Sequence, residues 1–444
     1  MPSNCVIVGA GPAGLAAARW LKTRGIEPTV LEAEAEVGGR TRTLKVNRVL
    51  VNNGASFFAT FYSETIKLAD EIGLKLVPPL LLPGRDGLAH QLSTPQGLLP
   101  HRLGTLKGLF HFPMMSFSAK IRALSALSSL VIGKKIHIAD TELMAHVDYE
   151  SAERWGRRRF GDEGYEYLVR VALEPYFYFG ADQSSAGFTR ALLRHAVRWR
   201  PLIPSGGVGM FCSHLAQGLD VHCVAPVREI RRERNGFVVK HDAGEVRGDT
   251  VILATPADKT LAIDAPLRPE DREDLSLVRY IPCVRAVLGY KREHAPQIPY
   301  ITPAGPGKHA LMSLSTLSSW EAGRVPEGDE VVWISASGWR SVELADKQSD
   351  EIIDALRRDC ASIGISIPTP AWSEVIINRQ GMVLPETGHF RRMAAFLSRE
   401  RLGIFFAGDW LTGSTVEGAI RSGQEAAKAV WRQHQIQRHI GSNK

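Results

Sequence analysis

Apolar and polar positions near the start of the chain change from strand-like to helix-like spacing and back. Residues 5–8 form a continuous apolar run of strand length, and Leu15, Ala18 and Leu21 then recur on one helical face. Residues 28–32 predict a second strand that ends in an acidic residue. The pattern predicts a strand, a helix and a second strand, which is the order typical of α/β domains.

The middle and the end of the chain carry similar patterns. Three strands are predicted between Ala225 and Ala254, and Asn235-Gly236 forms a tight hairpin turn between the first two. Residues 402–407 have the pattern of a buried strand, and a helix follows them. The apolar face of that helix holds Val416, Ile420, Ala427 and Val430.

A glycine-rich turn joins the first strand to the first helix. Gly9, Gly11 and Gly14 have the GxGxxG spacing of dinucleotide-binding turns. In such turns the first glycine makes the tight bend, the second lets the backbone approach a pyrophosphate, and the third lets the helix pack on the strand. Glu32 lies 18 residues after Gly14, where an acid accepts hydrogen bonds from ribose hydroxyl groups. These residues predict a dinucleotide cofactor with its phosphates at the helix N-terminus.

The residues after Glu32 favour FAD over NAD. The run Val37-Gly38-Gly39-Arg40-Thr41-Arg42-Thr43, together with the glycine turn and Glu32, resembles the flavin-containing amine oxidase superfamily. That family includes monoamine and polyamine oxidases, protoporphyrinogen oxidases and phytoene desaturases. The resemblance implies that Arg40 contacts the FAD pyrophosphate and that residues 53–56 run beside the flavin ring.

A second part of the resemblance lies near the end of the chain. Gly408-Asp409 and residues 414–420 resemble the closing motif of the family. There the Asp binds the ribityl–pyrophosphate region, and the helix N-terminus points at the pyrimidine edge of the flavin, where its dipole stabilises the reduced anionic form. Ser414 and Glu417 have the spacing of a capping box, so Glu417 could either cap the helix or contact the flavin.

The middle of the chain resembles the same flavoproteins. The three predicted strands are similar to their β-meander, in which the residue at Val227 touches adenine through its backbone, and residues 254–256 resemble the turn after it. The sequence contains no second GxGxxG, so no separate NAD(P)H site is expected. Because no cysteine follows Cys360, FAD is expected to be bound non-covalently.

The resemblance implies an α/β fold, in which a Rossmann-like FAD-binding domain of the glutathione-reductase type is interleaved with an α+β substrate domain. The expected FAD-binding domain comprises residues 1–58, 200–262 and 401–436, the substrate domain comprises residues 59–199 and 263–400, and residues 437–444 form a C-terminal tail. The implied cofactor-binding residues are Gly9, Gly11, Pro12, Ala13, Gly14, Glu32, Ala33, Gly39, Arg40, Thr41, Asn53, Gly54, Ala55, Ser56, Val227, Ala254, Thr255, Pro256, Gly408, Asp409, Thr415, Val416, Glu417 and Ala419.

Three residues are candidates for a catalytic role. Lys291 is the only lysine in the segment where amine oxidases carry a lysine that reaches flavin N5 through water, although its place on the strand does not match. His389, after Pro385 and Gly388, resembles a "P…GH" pattern of the protoporphyrinogen oxidase and phytoene desaturase branch and could act as a base. Tyr178 belongs to an aromatic run at 176–179, in a region similar to the same branch, that could line an apolar pocket or pack in the core. No pattern indicates a metal site.

The net charge is concentrated in one segment. The 444 residues carry a formal net charge of +7, and residues 87–139 contain no acid. The basic residues of this segment are Arg102, Lys107, Lys120, Arg122, Lys134 and Lys135. A helical apolar face at 121–131 accompanies them, so the segment either contacts a membrane, steers an apolar acidic substrate, or is an ordinary amphipathic helix with solvated lysines. Nothing else in the sequence supports nucleic-acid binding.

The cysteines and the apolar runs bear on the compartment. Five cysteines without CxxC spacing favour a reducing environment. No signal peptide precedes the first strand, and no uncharged apolar run reaches the roughly 18 residues needed to span a bilayer. A cytoplasmic location is therefore expected, with peripheral membrane contact through residues 87–139 as an open alternative.

Together, these patterns predict an FAD-dependent oxidoreductase. An apolar substrate, neutral or carboxylated, would lose a hydride to flavin N5 as a C–C or C–N bond is desaturated, and dioxygen or a quinone would reoxidise the flavin. The alternatives are a true amine oxidase that produces an imine and hydrogen peroxide, a redox-neutral flavin isomerase, and a non-catalytic FAD-binding scaffold. The sequence leaves the identity of the substrate open.

Overall fold

The computed structural model describes residues 4–79, 90–101, 103–133, 136–195, 199–318 and 323–442. Its strands are β1 (Asn4–Val8), β2 (Glu27–Leu31), β3 (Thr43–Val46), β4 (Val49–Asn52), β5 (Phe58–Ala59), β6 (Leu76–Val77), β7 (His90–Thr94), β8 (Gly97–Pro100), β9 (Pro201–Pro204), β10 (Asp220–His222), β11 (Val227–Glu233), β12 (Gly236–His241), β13 (Gly244–Gly248), β14 (Thr250–Leu253), β15 (Arg279–Lys291), β16 (Tyr300–Pro303), β17 (Leu311–Thr316), β18 (Asp329–Ala336), β19 (Trp372–Leu384) and β20 (Ile404–Phe406).

Its helices are α1 (Pro12–Lys22), α2 (Ser63–Glu71), α3 (Leu106–His111), α4 (Phe117–Ile132), α5 (Thr141–Ala145), α6 (Ala152–Gly164), α7 (Arg170–Phe177), α8 (Ala186–Leu193), α9 (Gly209–Ala216), α10 (Ala257–Ala262), α11 (Pro269–Ser276), α12 (Gly338–Leu344), α13 (Ser349–Ser362), α14 (His389–Ser398), α15 (Asp409–Thr412) and α16 (Val416–Ser442). The chain is thus a mixed α/β fold.

Five strands from distant parts of the chain form one parallel sheet, in the order β10-β2-β1-β14-β20. Ile7, Ile252 and Leu253 have no exposed surface, because the sheet is covered on both faces. Helices α1 and α16 pack on one face, and the antiparallel sheet β11-β12-β13 packs on the other. The predicted strand–helix–strand start, the three middle strands and the last strand are confirmed.

A second sheet has seven strands in the order β19-β15-β18-β17-β16-β7-β8. It is antiparallel except where β16 pairs with β7. Helices α12 and α13 pack on one face, where Leu288 contacts the cluster around Leu344 and Leu356. Helices α3 to α8 form a separate layer whose core includes the aromatic residues Trp155, Phe160, Phe177 and Phe188.

Helix α4 covers the predicted apolar face at 121–131, and that face is divided between core and surface. Leu124, Leu127 and Leu130 pack in the helical layer, whereas Ile121 and Val131 are 48% and 51% exposed. The buried positions include Lys120, whose Nζ donates to the carbonyl oxygen of Phe110 (2.9 Å), and the small residue Ala123. The long aliphatic stem of the lysine packs inside while its amine meets a carbonyl, which a pattern based on hydrophobicity misses.

Helix α16 continues to Ser442, so it extends into the segment 437–444 that is expected to form a C-terminal tail. Arg102, Lys134 and Lys135, half of the predicted basic cluster, lie outside the described residues. Within the described residues, no helix has the length and apolar character needed to cross a bilayer.

Candidate active site

A cavity of about 1510 Å³ begins at the carboxyl ends of β1, β2 and β14, where Val8, Leu31 and Ala254 line it. It continues between the seven-stranded sheet and the helical layer, where Tyr176 and Tyr300 line it. All the predicted cofactor-binding residues except Gly14 and Glu417 line this cavity. The carboxyl ends of parallel strands are the usual ligand site of such sheets.

The three glycines of the first turn differ in what they face. Gly9 has φ +103°, and a Cβ there would lie 2.9 Å from the carbonyl oxygen of Ala254. A Cβ on Gly14 would lie 1.9 Å from the carbonyl oxygen of Gly9, so Gly14 permits close helix–turn packing and does not face the cavity. A Cβ on Gly11 would meet nothing within 4 Å, because Gly11 lines the cavity. The open space beside Gly11 is therefore where a ligand could approach the backbone.

Glu32 organises the loop around the turn. Its Oε2 accepts a hydrogen bond from the backbone N–H of Ala10 (2.7 Å), and its Oε1 accepts one from Glu34 (3.0 Å). The residue is 8% exposed and lines the cavity. Each carboxylate oxygen has a further lone pair, so the side chain can also accept from a ligand hydroxyl.

Arg40 and Asp409 form a two-bond ion pair across the cavity wall. The Arg40 guanidinium donates to Oδ2 and Oδ1 of Asp409 at 2.9 and 2.7 Å. Burial disfavours the charged guanidinium, but the Asp409 carboxylate outweighs it and raises the pKa of Arg40 above its ordinary value. The pair joins two segments that are 369 residues apart, so both predicted contacts lie at one place.

Residues 53–56 run back over the turn that carries Arg40. The N–H of Ala55 donates to the carbonyl oxygen of Arg40 (3.0 Å), and a Cβ on Gly54 would lie 2.4 Å from that same oxygen. The amide of Asn378, on β19, donates to the carbonyl oxygen of Asn53 (2.5 Å). The long strand β19 thereby attaches the second sheet to this segment.

The predicted capping box between Ser414 and Glu417 is wrong. The N-terminus of α16 is capped by Thr415, whose Oγ1 accepts from the N–H of Gly418 (2.9 Å). The Ser414 hydroxyl donates to the carbonyl oxygen of Val383 instead. The two hydroxyl residues are adjacent, and the spacing alone does not identify which of them caps.

Glu417 caps a different helix. Its fully buried carboxylate accepts from the N–H groups of Glu64 (3.1 Å) and Thr65 (2.9 Å) at the start of α2. It also accepts from the Thr65 hydroxyl and pairs with Arg421. Glu417 therefore fixes α2 against α16 and does not line the cavity.

Aromatic side chains line the far end of the cavity. Phe57 stacks on Trp199 with ring centroids 5.7 Å apart, and Tyr176 meets the edges of both rings at 6.1 and 5.6 Å. Tyr178, Tyr300 and Trp333 line the same region. This end is suited to a large apolar molecule.

Of the three catalytic candidates, only Tyr178 lies at the cavity. Burial raises the pKa of its hydroxyl, and the nearby Arg285 and Ser335 partly oppose that rise. The residue has φ +61°, and its carbonyl oxygen lies so close to Gly338 that a Cβ on that glycine would be 1.6 Å away. The structure thus holds Tyr178 in a strained conformation facing the site.

Lys291 and His389 do not line the cavity. The Lys291 amine is exposed and pairs with Asp329 at 2.7 Å. His389 is buried with its Nε2 2.9 Å from the carbonyl oxygen of Trp410, and burial lowers its pKa to about 4. Because a carbonyl oxygen only accepts, Nε2 carries the hydrogen, and the geometry contradicts a base role for His389 in this cavity.

The sequence interpretation missed Arg285. This residue lies on β15, is 5% exposed and lines the cavity. The signal was present, since Arg285 is the only charged residue in the apolar run 281–290. A lone charge inside a strand that is buried on both faces needs a specific partner.

Comparisons with known proteins agree with this geometry. The model of the family described as flavin containing amine oxidoreductase matches residues 12–431. Protoporphyrinogen oxidase 1 from chloroplasts of Spinacia oleracea is 24% identical over 490 residues, which covers 96% of this chain and 84% of the spinach protein.

Two solved structures share the fold. Putrescine oxidase bound to putrescine superposes with a TM-score of 0.73 at 20% identity, covering 97% of this chain and 99% of that one. A CLA-producing fatty acid isomerase from P. acnes superposes with a TM-score of 0.70 at 16% identity, covering 95% and 97%. The family match spans nearly the whole chain, so this protein belongs to the flavin-containing amine oxidoreductases and is an enzyme that binds FAD non-covalently.

Proposed function

We propose that this enzyme removes a hydride from an apolar organic substrate, desaturating a C–C or C–N bond, and that dioxygen or a quinone reoxidises its FAD. The observation that carries the proposal is the single cavity in which the predicted dinucleotide residues and the aromatic cluster around Phe57 meet. When bound, FAD supplies the two-electron acceptor at N5.

The residues present fit a dinucleotide. Gly11 leaves open space at the N-terminus of α1, where no side chain caps the free N–H groups, so a pyrophosphate can bind there. Arg40 would hold the same phosphates, with Asp409 fixing its orientation. Glu32 would accept from the adenosine ribose, and the backbone at Val227 would contact adenine.

The domain division follows from these roles. We assign residues 1–58, 200–262 and 401–436 to a Rossmann-like FAD domain, because these segments supply the parallel sheet and α16. Residues 59–199 and 263–400 would form the substrate domain, which supplies the helical layer and all seven strands of the second sheet. The flavin ring would then lie between residues 53–56 and the aromatic cluster.

The residues at the substrate end orient the substrate and exclude water. Phe57, Tyr176 and Trp199 present flat apolar surfaces, which favour a conjugated or polycyclic molecule. Among the described residues of 59–199 and 263–400, none of those that line the cavity is Asp or Glu. Since a diammonium compound needs an acidic partner in an apolar site, a polyamine substrate is disfavoured.

An anaerobic flavin-reduction screen tests the proposal. The purified holoenzyme would be mixed with benzylamine, putrescine, protoporphyrinogen IX, phytoene and linoleate, and the flavin absorption band would be followed. We expect bleaching by the porphyrinogen or the polyene. Bleaching by amines alone would identify a true amine oxidase, and conversion of linoleate without net electron transfer would identify an isomerase. A flavin that no compound of the screen reduces would support the alternative of a non-catalytic FAD-binding scaffold.

A further inference from the structure

Arg285 is a buried cation inside the cavity with only neutral partners. Its Nε donates to the Ser335 hydroxyl (3.2 Å), and one terminal nitrogen donates to the carbonyl oxygen of Asn52 (2.9 Å). The other terminal nitrogen donates to the Ser56 hydroxyl at 3.4 Å, and Trp333 lies beside the guanidinium at 5.1 Å. In the part of the chain that the structure describes, Arg285 forms no ion pair.

A second arginine of the cavity wall, which is partly exposed, provides a contrast. Arg40 is paired through two hydrogen bonds with Asp409, so its charge is balanced by the protein itself. A guanidinium is always charged in proteins, and a buried charge without an opposite charge is unfavourable. Arg285 therefore sits where an anion from outside the chain would satisfy it.

The position of Arg285 points toward the substrate and not the phosphates. It lies on β15, between Ser335 of β18 and Ile376 of β19, in the sheet that borders the aromatic end of the cavity. Tyr178 and Tyr300 lie close enough for the charge of Arg285 to oppose the burial-driven rise in the pKa of each phenol. The proposed phosphate-binding residues Gly11 and Arg40 belong to the other sheet and its loops.

We propose that Arg285 binds a carboxylate of the substrate, so that the enzyme acts on an apolar organic acid. This inference rests on the proposed function and names the chemical class of its substrate. The planar guanidinium presents paired donors that match the two oxygens of a carboxylate. The hydroxyl groups of Tyr178 and Ser56, beside the guanidinium, would complete a polar pocket at the end of an otherwise aromatic wall.

The binding test compares acids with their esters. Oleate and methyl oleate, and protoporphyrin IX and its dimethyl ester, would be titrated into the oxidised holoenzyme, with dissociation constants taken from the change in the flavin spectrum. We expect each acid to bind about 10- to 100-fold more tightly than its ester, as a charge-assisted hydrogen-bonded pair provides. Equal affinities for acid and ester in the wild-type enzyme would overturn the proposal without any variant.

Variants assign the preference to Arg285. Arg285→Gln should lose the preference for acids while ester affinity stays within about twofold, and Arg285→Lys should keep part of it. Arg357→Gln is the control, because Arg357 lies outside this cavity, where its guanidinium donates to the carbonyl oxygen of Ile367 and pairs with Asp354. It should keep the full preference.

Two results would contradict the role of Arg285. Persistence of the acid preference in Arg285→Gln would place the carboxylate elsewhere. Equal weakening of acid and ester, with a changed flavin spectrum, would make Arg285 a support for the flavin. If the flavin is reduced but acids and esters bind equally, only the carboxylate inference is contradicted. If acids bind more tightly but no substrate reduces the flavin, only the proposed function is contradicted.

Discussion

Gly11 is the residue at which cofactor binding can be separated from folding. Its φ is −75°, which any residue adopts, and the space around it is open. Gly14 and Gly423 are different, since a Cβ on Gly423 would lie 2.0 Å from the carbonyl oxygen of Ala13 where α16 crosses α1. Glycine therefore serves ligand approach at one position and helix packing at the others.

Gly11→Ala should weaken FAD binding without lowering the stability of the apoprotein. The added methyl group would occupy space that the pyrophosphate needs, so we expect at least about a tenfold loss of FAD affinity, or ~1.4 kcal/mol. Quenching of FAD fluorescence by the apoprotein measures the affinity, and thermal unfolding measures stability. Gly423→Ala should instead lower the unfolding temperature of the apoprotein. Unchanged FAD affinity in Gly11→Ala would show that the pyrophosphate does not bind beside Gly11.

At the scale of single elements, α2 depends on a residue from the far end of the chain. The Glu417 carboxylate accepts hydrogen bonds from the free N–H groups at the start of α2. No side chain at the N-cap position of α2 itself caps these groups. Glu417 lies 353 residues after Glu64 and 352 residues after Thr65 in the sequence. No local pattern could indicate this contact.

Glu417→Gln should destabilise the protein and leave the flavin spectrum unchanged. The amide retains one acceptor oxygen, so one group in the buried network loses its partner and the free energy of unfolding should fall by about 2 kcal/mol. Urea unfolding of the holoenzyme measures the change. Glu425→Gln, at an exposed pair with Lys428, is the control and should stay within about 0.5 kcal/mol of the wild type. A shifted flavin spectrum with unchanged stability would instead indicate that Glu417 contacts the flavin directly.

The elements around the cofactor could be predicted from the sequence, whereas their contacts could not. The first strand and α1 follow from a local apolar run and a glycine turn, which are short-range signals. The buried face of α4 is set by α6 and α8, which it packs against, and these place Ala123 inside and Phe117 outside. A face chosen by tertiary packing is not encoded in the periodicity of one helix.

The substrate end could not be predicted because distant segments assemble it. Trp199 meets Phe57 and Tyr176, and Arg285 from β15 faces Tyr178 from the end of α7. The aromatic residues look like ordinary core in their own segments, whereas Arg285 stands out as a lone charge in an apolar strand. Their shared cavity appears only when the two sheets and the helical layer are brought together.

At the scale of the whole molecule, α3 and α4 carry an exposed apolar surface. Its members are Leu106, Phe110, Phe117, Ile121, Val131 and Ile132. Leu103, Thr105 and Leu127, from the same part of the chain, line the cavity. The surface thus adjoins the substrate end, and we propose it as the peripheral membrane contact that the sequence left open for residues 87–139.

The double variant Phe117→Ser with Ile121→Ser should lower vesicle binding. Burial of each side chain in the interface contributes about 1.5–3 kcal/mol when complete, so we expect at least about a tenfold loss of affinity. Co-sedimentation with vesicles of phosphatidylglycerol and phosphatidylcholine measures it. Ile436→Ser, at an exposed apolar position on α16, should bind like the wild type. Wild-type protein that stays in the supernatant at low salt would contradict membrane contact.

His389 makes stability depend on pH. It joins α14 to the carbonyl oxygen of Trp410 in α15, and its pKa falls from 6.5 to about 4 because it is buried. Below pH 6.5 the His389 imidazole binds a proton in the unfolded chain but stays neutral in the folded protein, so the free energy of unfolding falls as the pH drops toward 4. His389→Gln lacks this contribution to the pH dependence.

Between pH 7 and pH 5 the wild type should therefore lose about 2 kcal/mol more unfolding free energy than His389→Gln. Urea unfolding at the two pH values measures the difference. His294→Gln should show the wild-type dependence, because His294 is exposed. Parallel pH profiles for the wild type and His389→Gln would show that His389 is protonated in the folded protein.

The central claim is that a substrate bound in this cavity transfers its hydride to FAD. The most direct measurement is an anaerobic titration of the holoenzyme with protoporphyrinogen IX, in which reduced flavin and oxidised product are both quantified, before air or a quinone is admitted. The account predicts one two-electron oxidation of the porphyrinogen for each flavin reduced, that is, three reduced flavins for each fully oxidised porphyrin, followed by full return of the flavin absorption band. The account would be contradicted if the porphyrin formed at the same rate without the enzyme while the flavin stayed oxidised. The flavin would also have to stay oxidised with phytoene and with benzylamine.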